Sequence, residues 1–293
     1  MFDLSQTVLI ATFALCLLSL LVALPLAAYL RKQSNVLGWN YAGLVKTQPL
    51  ERWDLLGCWI LIGLYTFLSA LQLPQVTDWF VQIGLFAQSA VESPEKVKLT
   101  PEVLIAGIIS QAVPGMIVVA FLAFRQINMV EFFNLNWKKS PFLLLIAPTV
   151  AVLVQLLFMI MEIAGYSKAL ESIFGDLKVQ EVVRIYQDAH EVSIRILLAI
   201  MAVIIAPVVE EVVFRGYIYP VCKRYTGRII ATFFASLFFS AVHFHIPALL
   251  PLFILAIILT IAYELSGSIW VPISIHACFN GFTLLIQELQ PPA

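Results

Sequence analysis

The chain has 293 residues, of which 61% are hydrophobic and 12% charged, and its mean hydropathy is +0.94. These values exclude an ordinary soluble domain and describe an all-α, polytopic integral membrane bundle. A formal net charge of −1 gives no basic surface for nucleic acid, which is not expected as a partner.

The first apolar run, Val8 to Leu30, has no basic region before it and is followed directly by Arg31 and Lys32. It predicts an anchor with its N-terminus outside rather than a cleaved signal. Further runs at 54–73, 103–124, 141–164 and 196–219 are each near the roughly 20 residues that a helical span needs. Pro114-Gly115 and Pro148 are expected to kink two of them. Between 166 and 195, Leu170, Ile173, Phe174, Leu177, Val182, Val183 and Tyr186 recur at helical spacing among charges. That pattern predicts a helix lying on the outer surface and broken at Gly175, an interfacial connector more readily than a lid. From Ile229 to Tyr263 the apolar run is too long for one span at about 1.5 Å per residue, so two helices turning near 246–251 are expected. A last run, 269 to about 287, follows Ser266-Gly267-Ser268 and brings the count to eight.

The chain therefore reads as residues 1–195, four spans plus the interfacial segment, and 196–293, a core of four spans. The loops 31–53, 125–140 and 220–228 hold 10 lysines and arginines, and the alternate loops hold 6. The richer side is expected to be cytoplasmic, with both termini outside. Cys16, Cys58, Cys222 and Cys278 lack metal-like spacing and read as unpaired packing residues.

Within this apolar background, Ala206-Pro207-Val208-Val209-Glu210-Glu211-Val212-Val213-Phe214-Arg215-Gly216 places two acids and a base inside a span, where charge is costly. Glu211 and Arg215, four apart, share a helix face, whereas Glu210 is turned by about 100°. Glu211 is thus the acid Arg215 neutralises, and Glu210 is left to point elsewhere. Three further polar groups lie in later spans: His243 after Phe239, and His276 with Asn280 four residues on. Hydrogen-bonded packing is the plain reading of each alone. Together they supply a carboxylate and an imidazole able to take a proton from water, and donors for a developing oxyanion. His245 reads as structural, capping or bonding near Pro247.

EExxxR at Glu210 to Arg215, FxxxH at Phe239 to His243 and HxxxN at His276 to Asn280 resemble, in order and approximate spacing, the CAAX protease and bacteriocin-processing (CPBP, or Abi) family. These are intramembrane glutamic endopeptidases related to the Rce1-type CAAX prenyl proteases. The resemblance covers about residues 196–287. It implies that Glu210 and His243 activate water, that His276 and Asn280 form the oxyanion hole, and that Glu211, Arg215 and Phe239 support the site. It also implies no cofactor or metal, and a peptide or protein substrate, with membrane-anchored and lipidated forms included, met among membrane lipids. Three other readings remain open: a zinc protease using Glu210, His243 and His276; a proton-coupled carrier, for which inverted repeats would be expected; and a non-catalytic scaffold. With these boundaries Glu210 and His276 lie about 10 to 15 Å from the cytoplasmic ends but His243 about 22 Å, a mismatch at 1.5 Å per residue.

Overall fold

A computed structural model describes residues 43–70, 100–138, 142–175, 186, 189 and 191–289. Among the described residues the elements are helical, with no strand. We number them α1 (Arg52–Ala70), α2 (Pro101–Phe124), α3 (Leu143–Ile163), α4 (Tyr166–Phe174), α5 (Val192–Thr226), α6 (Arg228–Ala241), α7 (Ile246–Ser266) and α8 (Trp270–Leu289). By length and composition α2, α5, α7 and Leu145–Ile163 of α3 are each able to cross a membrane, and α6 is a shorter apolar helix. The expected run Val8–Leu30 lies outside the described residues, and each later run overlaps one of these helices. Leucines and isoleucines such as Leu153, Ile160 and Ile163 stand exposed on α3, as lipid-facing side chains should.

The core forms around α5, which packs on α2, α8, α1 and, through Phe214 to Ile218, on α6. α6 and α7 form a hairpin, and α3 lies along α8. Small residues let these helices close. A Cβ on Gly57 of α1 would come within 2.3 Å of the Tyr217 hydroxyl, and one on Gly216 within 2.9 Å of the Phe133 ring. Ahead of α8, the loop after α2 acts as a bracket. Ile269 N–H bonds the Phe133 carbonyl at 3.1 Å, Ser268 Oγ the Asn134 carbonyl at 3.0 Å and Trp270 Nε1 the Leu135 carbonyl at 3.1 Å. Three bonds across more than a hundred residues fix where α8 starts, and with it the height of His276.

Two boundaries differ from the sequence reading. α5 does not stop near 219 but runs to Thr226, because Gly227, at φ 86°, is where the backbone can reverse. The expected loop 220–228 thus shrinks, and Lys223 is a buried helix residue paired with Glu264 at 2.5 Å and donating to the Val45 carbonyl at 3.0 Å. Tyr219 donates to the same Glu264 at 2.6 Å, so the cation is held by internal partners and is no marker of an exposed loop. The second turn comes earlier than 246–251. α6 ends at Ala241, and residues 242–245 turn with Phe244 in the left-handed region at φ 47°. From Thr226 to Glu210 is now about 24 Å along α5, and from Arg228 to His243 about 22 Å along α6, so these two agree in depth, while His276 stays about 9 Å from the start of α8 at Trp270.

The interfacial segment is described in part. α4 has no buried residue and ends at Gly175 with φ 78°, where the break was expected. Tyr166 donates to the Pro247 carbonyl at 3.1 Å, laying the start of α4 against the α6–α7 turn. Farther on, Tyr186 donates to Glu288 and Arg195 pairs with the same carboxylate, tying this segment to the end of α8. Burial, then the hydrogen bond to Glu288 and the charge of that carboxylate, push the Tyr186 phenol above its ordinary pKa. Cys58 and Cys222 are buried free thiols and Cys278 is a free, half-buried one.

Lys223, being buried, drops out of the richer side's lysines and arginines, which still outnumber those of the alternate loops, and the orientation expected from them has a direct test. With an impermeant thiol reagent on whole cells, single cysteines at Lys98 and Lys178 should be labelled, and those at Lys46 and Lys139 should not. Labelling at 46 but not at 98 would reverse the orientation.

Candidate active site

The site is built on the middle of α5, where Ala206–Val213, carrying Glu210 and Glu211, is flanked by two widened π-type turns, Met201–Ile205 and Phe214–Ile218. Each widened turn runs up to a proline. Ala206 N–H bonds the Met201 carbonyl just before Pro207, and Tyr219 N–H bonds the Phe214 carbonyl just before Pro220. Proline has no N–H and its ring crowds the carbonyl four residues back, so widening the preceding turn removes the clash without breaking the helix. Such turns gather at functional sites.

Glu211 is fully buried and Arg215 is 1% exposed. Arg215 Nη1 bonds Glu211 Oε1 at 2.9 Å across the i, i+4 spacing, and Nη2 donates to the Ala256 carbonyl of α7 at 3.1 Å. The guanidinium lies 4.5 Å from the Phe239 ring centre, so an aromatic face supplies the contact that water would give outside. His276 Nδ1 meets Glu211 Oε1 at 2.9 Å, and against a carboxylate that nitrogen is the donor. Glu211 is thus shared by a guanidinium and an imidazole from α8, and is committed to both.

Glu210 is placed differently. Its side chain is 17% exposed, against 0% for Glu211, and its Oε2 stands 3.9 Å from His276 Nε2. The two acids, adjacent in sequence, thus face opposite nitrogens of one ring, Glu211 within hydrogen-bond distance and Glu210 beyond it. With Nδ1 given to Glu211, Nε2 accepts in the neutral ring and donates once the ring holds a second proton.

The α6–α7 turn delivers His243. Val242 N–H bonds the Phe238 carbonyl and His243 N–H bonds the Ser240 carbonyl, which leaves the Phe239 carbonyl passed over. His243 Nδ1 donates to that carbonyl at 2.8 Å. The bond fixes the tautomer with a lone pair on Nε2, the form that accepts a proton. Phe239 packs at 5.0 Å from the His243 ring and 5.9 Å from the His276 ring, centre to centre, so one buried phenylalanine touches both histidines and Arg215. Glu210 and His276 both lie within electrostatic range of His243. His245 occupies the N-cap position of α7, but its side chain makes no cap bond to that helix.

Asn280 lies one turn beyond His276 on α8, and its Nδ2 donates to the Ala202 carbonyl of α5 at 2.8 Å. The structure therefore gathers Glu210, Glu211, Arg215, Phe239, His243 and His276 around one point, with Asn280 bridging back to α5. Among the described residues, no group of three or more His, Cys, Asp or Glu side chains is arranged to hold a metal ion.

Residues 192–282 match the family described as "Type II CAAX prenyl endopeptidase Rce1-like". Over 96 residues this chain is 36% identical to the "Membrane-embedded CAAX protease MroQ" of Staphylococcus aureus (strain USA300), which covers 31% of the chain and 39% of that protein. Over 95 residues it is 30% identical to the "Putative membrane peptidase YdiL" of Bacillus subtilis (strain 168), covering 32% of the chain and 38% of that protein. The chain thus spans about two fifths of the length of these relatives. No solved structure matches it.

The Rce1-like region contains every residue of the three motifs, and the structure adds neighbours from outside it. Tyr65 of α1 stands edge-on to Phe214 at 5.5 Å between ring centres and within electrostatic range of Glu210. A single tyrosine in an apolar run carries no signal of that placement. The Ala256 and Ala202 carbonyls were equally invisible, since any residue supplies a carbonyl.

Proposed function

We propose that the chain is an intramembrane endopeptidase that hydrolyses a peptide bond with water as nucleophile. The observation that carries this reading is the division between the two acids: Glu211 is committed to Arg215 and His276, while Glu210 is partly open, 3.9 Å from His276 Nε2 and within electrostatic range of His243. In the reaction, water gives its proton to the Glu210–His243 pair as its oxygen attacks the scissile carbon. His276 and Asn280 donate to the carbonyl oxygen as it becomes negative, and the proton passes to the leaving nitrogen as the C–N bond breaks. Glu211 and Arg215 hold the His276 ring, and Phe239 spaces it from His243.

The substrate is a peptide or protein, met at the membrane. Similarity to CAAX proteases brings a lipidated or anchored segment into consideration, and the placement of Glu210 among apolar helices suits such a chain. The protein would sit in a bacterial inner membrane with its N-terminus outside.

This reading is separated from a zinc protease by metal content and by the pattern of variants. His276→Ala and Asn280→Ala should each lower the hydrolysis rate by about 10²- to 10³-fold, as loss of an oxyanion donor does. Purified protein should contain no stoichiometric zinc and should keep its activity through exhaustive chelation. Stoichiometric zinc that is lost in His276→Ala, with activity of the chelated wild type restored by adding the metal back, would replace the glutamate mechanism.

A further inference from the structure

We infer that Pro207 positions Asn280: by withholding a backbone N–H, it leaves the Ala202 carbonyl to the Asn280 amide and so fixes that amide one turn beyond His276. The first widened turn of α5 sets this up. Ala206 N–H reaches back five residues to the Met201 carbonyl, so the next donor in that register would be residue 207 and its acceptor Ala202. Residue 207 is proline and has nothing to give. A backbone carbonyl without a donor inside an apolar bundle is costly, and the structure places the Asn280 Nδ2 at 2.8 Å from it. The helix that carries Glu210 is thereby tied to the helix that carries His276, two turns along α5 from Glu210.

An amide nitrogen has two protons. The Ala202 carbonyl takes one and sets the plane of the group, which determines where the other is aimed. A free asparagine side chain would have to be ordered during each turnover, whereas one already bonded would not. Pro207 thus acts on the reaction through Asn280 without touching substrate. The part of this inference that concerns the reaction rests on the peptidase reading; the part that concerns the carbonyl does not.

Four proteins test it: wild type, Pro207→Ala, Asn280→Ala and the double variant, each measured by thermal unfolding in detergent and by steady-state hydrolysis. Asn280→Ala should melt below wild type because Ala202 loses its donor. Adding Pro207→Ala should move the melting temperature back up, since the new N–H reaches the orphaned carbonyl, while kcat stays low for want of the amide. Pro207→Ala alone should melt no lower than wild type yet lose about tenfold in kcat, with KM and the pH profile unmoved. If Asn280→Ala does not accumulate as folded protein, its recovery in the double variant is the same readout. A double variant that melts at or below Asn280→Ala, or fails to accumulate as it does, overturns the proposal, as does Pro207→Ala with wild-type kcat. Recovery of kcat together with melting would overturn it too, by removing the amide from the reaction. Should no variant or wild type hydrolyse any peptide, the peptidase reading fails, and the melting comparison still decides the role of Pro207.

Discussion

Replacing Glu210 with glutamine should lower the peptidase rate by about two to four orders of magnitude while the protein folds nearly as before. Glutamine keeps the shape of the side chain and its capacity to hydrogen-bond, but it cannot take a proton from water. Folding should be spared because Glu210 is the partly open acid, in contact with His276 Nε2 at 3.9 Å rather than locked into the Arg215 pair. His243→Ala should cost a similar factor, since its Nδ1 bond to the Phe239 carbonyl prepares Nε2 as the partner base. Unfolding curves and single-turnover rates on the same preparations separate the two effects. A Glu210→Gln protein within tenfold of the wild-type rate would rule out a general-base role.

Glu211→Ala should act in the opposite sense, on stability first. The carboxylate bridges Arg215 and His276 through a single oxygen, and both Glu211 and Arg215 are essentially removed from water. Deleting it leaves the guanidinium, among the described residues, with the Ala256 carbonyl, the Phe239 face and the charge of Glu210, and breaking a buried pair in this way costs about 3 to 5 kcal/mol. The variant should therefore purify in lower yield and melt well below wild type, with loss of activity following from loss of structure. Melting at the wild-type temperature would mean that Arg215 finds another partner and that the pair is not what holds this part of the bundle.

The helical membrane character and four of the eight expected spans were legible because a span has to be long and apolar, which is a property of composition and length. The pairing of Glu211 with Arg215 was legible because a four-residue step on a helix brings two side chains together. The end of α5 was not, because Lys223 and Arg224 look like a loop in a hydropathy reading. Glu264, the partner that allows Lys223 to stay inside, lies 41 residues away. The α6–α7 turn was set at the prolines, yet Pro247 sits in the first turn of α7, where proline is tolerated, and the reversal falls on Phe244. That displacement matters for the site, since it moves His243 from the interior of a helix to a turn where its backbone neighbours are free to fix its tautomer. The role of Tyr65 and the carbonyl partners of Arg215 and Asn280 depend on packing between distant segments, and no local pattern encodes them.

The most direct measurement compares the termini of membrane and secreted peptides in cells that carry wild-type protein with those in cells that carry Glu210→Gln at equal abundance. Mass spectrometry should find a defined set of peptides cut in the first and intact in the second, and the same cut should be reproduced by purified protein in vesicles with a chelator present. Identical inventories in the two strains, or a cut that persists with Glu210→Gln, would contradict a peptidase that works through this carboxylate.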